Sequence, residues 1–342
     1  MLFVGAAIGL MVMLYSSGAK QLSTGSFFIF PVMMVSMIMM MRNRGGGEKK
    51  SRGSAKNQER ADYLRKLDEL RVDVHKAAKA QAKEIAFHHP DPCDGSLATL
   101  IGTPRMWERS PQRRGNWGHL RLGVGVTRLK TNLRPPTKVP PPEYRETVTT
   151  VAARDFLQAQ NVLHDVPRPL HVFDQMGWSF FGEPHQRPIV QGILRSLVCQ
   201  LCVFHGPDDV QVAIISDDTQ AWDWAKWLPH NADEEFVDAC GPLRWIFPDV
   251  KAFLDRLDGT VRSRPPFAPI MEGMELPIRW LVVVVDLPGA DCSPILGDVG
   301  RMGVSVLEAT GNEASVLANS NSAYILDEIG NLLKASADRE IN

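Results

Sequence analysis

Leu281-Val282-Val283-Val284-Val285-Asp286 is the most informative run in the chain. Four consecutive valines follow a leucine, with Trp280 before them and an acid at the end. β-Branched side chains suit an extended backbone. A run with no polar alternation places apolar groups on both faces, which is the mark of a strand covered on both sides. On either side of it, strand and helix patterns alternate. Thr147 to Leu163 reads as a helix, and Leu170 to Phe173 and Trp178 to Phe181 as short strands. Pro188 to Phe204 reads as a long apolar helix with proline in its first turn, where a missing N–H costs nothing. Val210 to Ile215 is a strand, Pro248 to Val261 an amphipathic helix, and Val304 to Leu307 and Tyr324 to Leu326 are two more strands. Such alternation implies an α/β fold with a parallel sheet covered by helices.

Two positions in that sheet would carry chemistry. The turn after Phe181 is where a phosphate-binding loop would lie. Such a loop needs glycines, so that backbone N–H groups can wrap the phosphate, and then Lys with Ser or Thr. The chain offers Gly182-Glu183-Pro184-His185-Gln186-Arg187-Pro188. Glu183 repels phosphate, Pro184 and Pro188 remove two donors, and the terminal Lys-Ser/Thr pair is missing. Arg187 is the one cation in the turn able to touch an anion. The second position is Asp286, a strand-end acid followed by Leu287 and Pro288, with no second carboxylate beside it. Gly182, Arg187 and Asp286 thus form a degenerate nucleotide site. No catalytic residue, bound cofactor or metal is expected on this segment.

The chain has 342 residues, 44% hydrophobic and 23% charged, with a formal net charge of -1. That average hides three regimes. Residues 1–41 contain one charge, Lys20. Residues 42–84 hold 13 Lys/Arg against 7 Asp/Glu, and the remainder holds 24 against 32. In the head, Met1 to Tyr15 and Leu22 to Met41 are apolar runs without a polar face, separated by a short polar stretch. A membrane span needs about 20 apolar residues, which the second run supplies. The first falls short, and Met1 is expected to be an internal methionine of a longer protein. A signal peptide is a poor fit, since the head lacks a basic start and a clear cleavage site. Two transmembrane helices forming a hairpin are expected over 1–41. Arg42, Arg44, Lys49, Lys50, Arg52 and Lys56 follow the second span, so the positive-inside rule puts the body in the cytoplasm of a multi-pass protein of the bacterial inner membrane. The same cations would sit against anionic lipid.

Residues 42–89 read as a basic stalk helix. Gly45 to Gly47 break from the span, and from Lys56 onward Tyr63, Leu67, Leu70 and Val74 recur at helical spacing. This narrow stripe is expected to pack on a partner helix. Prolines 90 and 92 end the helix. His88 and His89, adjacent at its terminus, make a poor chelate. Residues 90–145 form a small linker segment of short strands ending in a proline-rich connector, Arg134 to Pro142, and 146–342 form the main α/β domain. Cys199 and Cys202 have CxxC spacing but lie within an apolar helix pattern, where buried small hydrophobes are the ordinary reading.

Three further stretches carry a family resemblance. They are Arg105-Met106-Trp107-Glu108-Arg109 followed by Leu120 to Gly125, Phe204-His205-Gly206-Pro207-Asp208-Asp209-Val210, and Trp222-Asp223-Trp224-Ala225-Lys226-Trp227-Leu228-Pro229-His230. Together with the hairpin and stalk they resemble the membrane-proximal part of EccC, the FtsK/SpoIIIE-type ATPase of type VII (ESX) secretion. The resemblance implies a RecA/FtsK-like sheet that is often degenerate in this first domain. It also implies that ATP and Mg belong to further ATPase domains beyond this chain, that Ecc B, D and E are partners, and that the full assembly is a hexamer. Trp222, Trp224 and Trp227 are the candidate contact residues, alongside the stalk stripe. The expected role is to couple those motor domains to the membrane channel.

Two other function classes fit less well. An FtsK-like DNA translocase would need a basic track, and the acidic body opposes nucleic acid. A stand-alone membrane ATPase would need the phosphate cradle that the turn at Gly182 lacks.

Overall fold

The computed structural model describes residues 49–131, 133, 141, 145–269 and 278–335. The membrane hairpin expected at 1–41, the glycines at 45–47 and nearly all of the proline-rich connector lie outside the described residues. In chain order the elements are α1 (Lys49–His88), β1 (His119–Arg128), α2 (Thr147–Gln160), β2 (Val162–His171), β3 (Gly177–Phe181), α3 (Arg187–Phe204), β4 (Val210–Ser216) and the hairpin strands β5 (Ala232–Asp238) and β6 (Gly241–Arg244). They continue with β7 (Ile246–Phe247), α4 (Val250–Arg262), β8 (Trp280–Asp286), α5 (Ser293–Leu296), β9 (Val304–Glu308), β10 (Ala323–Leu326) and β11 (Leu332–Lys334).

Among the described residues the chain divides into two compact units. One takes the residues up to Ile85 together with Gly125–Val166. The other takes Ala86–Val124 together with the residues from Pro167 onward. These units cut across the sequence divisions at 89/90 and 145/146, because β1 and β2 pair with each other and each carries the chain from one unit to the other.

The stalk pattern is realised as a helix of 40 residues, which lies in the first unit up to Ile85 and is made mostly of Ala, Lys, Glu, Arg and Leu, the good helix formers. Its stripe does not wait for a partner helix. Leu67, Leu70 and Val74 are buried against Phe156 of α2 and against Leu129, Leu133, Leu163 and Val166, with Tyr63 packed at the margin. The expectation of an intermolecular stalk contact is therefore corrected: a short amphipathic face is covered more cheaply by the same chain, whose ends are already tethered nearby. Glu146 starts α2 by accepting the Thr149 N–H at 2.7 Å, and Arg60 of α1 holds the same carboxyl at 2.7 Å.

The second unit is built on a seven-stranded sheet in the order β11-β10-β3-β9-β8-β4-β7. Every neighbouring pair in it is parallel except β10 with β11. All seven residues of β8 are buried, as the valine run requires. Its side chains alternate between two cores. Trp280, Val282 and Val284 join the core beneath α3, while Leu281, Val283 and Val285 join the core beneath α4 and α5. The helix expected to run to Leu163 stops at Gln160, and the strand expected at Leu170 begins already at Val162. Helix α3 with its preceding turn is, among the described residues, the one helix long and apolar enough to cross a membrane. Here Leu194, Leu197, Val198 and Leu201 are covered by the sheet, and it serves as the core helix of this unit.

Candidate functional site

Strands of a parallel sheet end together, and ligands of open α/β sheets bind outside their carboxyl ends. Here that edge is formed by Phe181, Ser216, Asp286 and Glu308. The turn after β3 is closed by its own residues. Pro184–Gln186 coil into a single 3-10 turn. The Glu183 N–H donates to Gln186 Oε1 at 2.9 Å, and the Gln186 N–H donates to the Glu183 carbonyl at 2.8 Å. The Gln186 amide then donates to the Asp327 carbonyl at 2.8 Å, which ties the turn to the end of β10. With Pro184 and Pro188 contributing no N–H and the Arg187 N–H donating to the Pro184 carbonyl, five of the seven backbone positions from 182 to 188 have nothing left for an anion. Gly182 is hemmed in as well: a Cβ there would meet Val190 Cγ2 at 3.0 Å and Gln186 Oε1 at 3.3 Å.

Asp286 is fully buried. Its Oδ2 accepts the Trp222 indole N–H at 2.9 Å and the Gln191 amide at 2.8 Å. Arg187 ion-pairs with Asp217 at 2.7 Å and stands 3.6 Å from Asp286 Oδ1. Arg187, Gln191 and Arg195 recur at four-residue spacing and so share one face of α3. The Arg195 guanidinium lies 5.6 Å from the centre of the Trp222 ring.

Trp222 begins the tryptophan-rich segment, and the three tryptophans have separate fates. Trp222 has no exposed surface, so its expected role as a contact for another molecule is corrected: its polar N–H is already spent on Asp286. Trp224 stacks at 6.0 Å from it and is half-buried on the core. Trp227 is 79% exposed, beside Lys226. Next to this segment lies an open cleft of about 590 Å³ lined by Thr219, Gln220, Asp223, Lys226, Arg244 and Ile246. Its walls are mixed in charge.

The other two resembling stretches meet at the amino end of the same sheet. Arg109 is buried, with its guanidinium 3.6 Å from the centre of the Phe204 ring. It donates to the carbonyls of His119 and of His88, the last residue of α1. A cation on a helix's terminal carbonyl also meets the negative end of the helix dipole. Trp107 donates its indole N–H to the Cys202 carbonyl at 3.0 Å. His205 is fully buried: its Nδ1 faces the Leu201 carbonyl at 3.0 Å and its Nε2 accepts the Gly118 N–H at 3.1 Å, which fixes the neutral tautomer. Gly118 holds a φ of 71° against the Phe173 ring, where a Cβ would come within 2.5 Å. His230, at the end of the tryptophan-rich segment, donates to the His205 carbonyl at 2.7 Å.

The imidazoles around Arg109 are held uncharged. Burial and then the Arg109 charge push His89 down to about 3, burial and then His171 push His119 down to about 4, and burial pushes His205 down to about 3. The His119 and His171 rings stack at 3.8 Å. Among the described residues no group of three or more His, Cys, Asp or Glu side chains is placed to hold a metal ion. Cys202 is buried, and burial raises its thiol.

Of the residues singled out in the sequence, Arg187 and Asp286 come together and Gly182 lies in the closed turn. Gln186, Gln191 and Asp217 complete the cluster and were not anticipated. Gln191 had a signal in its four-residue spacing from Arg187. Asp217 follows a strand end and had none. These residues do not fit a magnesium nucleotide: the turn gives no N–H cradle, and an indole sits on the acid that would face the metal. The second unit is thus a parallel α/β domain whose strand-end site is filled by its own side chains.

No family model matches the chain. It is, however, 31% identical to ESX-5 secretion system protein EccC5 of Mycobacterium tuberculosis over 313 residues, 90% of this chain and 22% of that protein. ESX-4 secretion system protein EccC4 of the same organism is 36% identical over 260 residues, 75% of this chain and 20% of that protein. ESX secretion system protein EccC of Thermomonospora curvata is 30% identical over 324 residues, 94% and 23% respectively. The chain belongs to the EccC family of ESX secretion system proteins and spans about a fifth of the length of these relatives. Among solved structures, Thermomonospora curvata EccC (ATPases 2 and 3) in complex with a signal sequence peptide has a TM-score of 0.34 at 12% identity, covering 47% of this chain and 31% of that one. The fold described above rests on its own sheet topology and not on that overlap.

Proposed function

We propose that this chain is the membrane-anchored, non-hydrolysing part of a type VII secretion machine, coupling ATPase domains elsewhere to an inner-membrane channel. The observation that carries the reading is the filled strand-end site. Trp222 and Gln191 occupy Asp286, and Gln186 closes the turn at Gly182. A RecA/FtsK-like sheet plugged in this way keeps its rigidity without a ligand and can pass motion from one neighbour to another. The apolar head and the basic residues after it support anchoring in an anionic bilayer. The family supports Ecc B, D and E as partners and a hexameric assembly, with ATP and Mg on other domains. Trp227 is the contact residue on this reading, because an exposed tryptophan is the side chain most enriched in binding hot spots.

The test is assembly. Trp227→Ala in the full-length protein should leave folding intact and lower both co-purification with the other membrane components and secretion. Unchanged assembly and secretion would remove Trp227 from the interface.

A further inference from the structure

The tryptophan-rich segment is pinned at two places on opposite ends of the sheet. At the carboxyl end, the Trp222 indole lies on Asp286 Oδ2. At the amino end, His230 donates to the His205 carbonyl and the Asn231 amide donates to the Val212 carbonyl at 3.0 Å. Between the pins the chain forms the turns Asp223–Trp227 and Pro229–Asn231 and contributes no sheet strand. Trp227 therefore has no ladder of its own to hold it. Its turn is held by local bonding, such as Ala225 N–H to the Trp222 carbonyl at 2.9 Å, by the packing of Trp224, Ala225 and Leu228 on the core, and by the two pins.

The first pin is the unusual one. Trp222 is a fully buried side chain whose single donor is matched to a fully buried acid, and the same acid oxygen is shared with Gln191 from α3. Among the described residues the buried Asp286 Oδ1 atom has no hydrogen-bond partner, only the Arg187 guanidinium at 3.6 Å. An acid so enclosed is costly unless its donors stay in place. The indole thus supplies at the strand end a donor that solvent cannot supply, and in doing so it ties the start of the Asp223–Trp227 turn to β8 and α3.

We propose that Trp222 is a positioning residue: lodged on Asp286, it fixes the turn that presents Trp227 and so determines where that exposed ring meets its partner. This rests on the reading of Trp227 as a contact, but its test separates the two. The full chain is labelled with fluorotryptophan, and the Trp227 resonance is assigned by its loss in Trp227→Phe. Trp222→Phe keeps most of the volume and removes the N–H, while Asp286→Leu removes the acceptor. Each should displace or broaden the Trp227 resonance, and the double variant should do no more than the larger single one, since both break one bond. Gln191→Leu leaves the indole in place and should give a smaller shift; it keeps the test decisive should either stronger variant unfold. Trp280→Phe is the control. It removes an indole bonded to Ser305 at 2.9 Å on the same face of the sheet and should leave Trp227 unmoved. An unmoved Trp227 resonance in the folded variants at 222, 286 and 191 overturns the proposal, as does a shift of equal size in Trp280→Phe. If Trp227 moves while Trp227→Ala leaves assembly intact, the positioning claim stands and the partner reading falls.

Discussion

At the carboxyl end of the sheet an acid, Asp286, is enclosed and given donors. At the amino end a cation, Arg109, is enclosed and given acceptors. The donors come from an indole and an amide, the acceptors from the backbone carbonyls of His88 and His119. Asp286 also has the part-exposed Arg187 guanidinium at 3.6 Å, a partner that solvent screens. Each end spends polar groups of neighbouring elements, and the tryptophan-rich segment runs between them, bonded to both. The difference is in what surrounds each site. The carboxyl end is crowded with Arg187, Arg195 and Asp217. The amino end is crowded with imidazoles, and at His89, His119 and His205 burial pushes proton binding well below the ordinary value near 6.5.

That contrast can be broken most severely at Trp222. Trp222→Ala removes a fully buried indole and strands the Asp286 carboxyl. Large-to-small changes of this kind cost about 4 kcal/mol, readable as a lowered denaturation midpoint. Next in size is Arg109→Met. It keeps an apolar stem but removes the guanidinium from the Phe204 ring and leaves the His88 and His119 carbonyls without their donor. The expected loss is about 2 kcal/mol, and hydrogen exchange should accelerate at the end of α1.

Acid sharpens the comparison further. His89, His119 and His205 hold protons less tightly when folded than the ordinary value near 6.5. The unfolded chain therefore binds more protons below that value, and stability falls as pH drops from about 6.5 toward about 3. Pulsed hydrogen exchange across that range should show the amino end of the sheet opening before the carboxyl end. Simultaneous opening of both would deny the distinction. In the first unit, Glu146→Ala should cost about 1 kcal/mol through loss of a helix cap. The Thr149 N–H and Arg60 hold this carboxyl down to about 2. Its contribution is thus present above about 4.5 and fades as pH falls toward 2. Trp227→Ala, the smallest, should leave stability unchanged.

The parallel sheet was legible because its evidence is local. The valine run at 282–285 reads as a strand covered on both faces, and the apolar pattern from Pro188 to Phe204 as a helix packed on such a sheet. Part of the turn at Gly182 was legible for the same reason, since its prolines and Glu183 declare themselves without a structure. What filled the site was not legible. Trp222 lies 64 residues from Asp286, and three tryptophans in six residues look alike until burial separates one from another. The stalk stripe was read correctly as apolar and helical but assigned to the wrong neighbour. Its cover comes from Leu129 and Phe156, which are distant in sequence and belong to elements with little pattern of their own. The convergence of Arg109, His205 and His230 likewise depends on long-range packing that no spacing rule predicts.

The central claim is that the strand-end site is occupied by the chain itself. Titration of the purified full chain with magnesium ATP, followed by calorimetry, tests it most directly. Absence of saturable binding into the millimolar range is the expected result. A micromolar dissociation constant abolished by Asp286→Asn would contradict it.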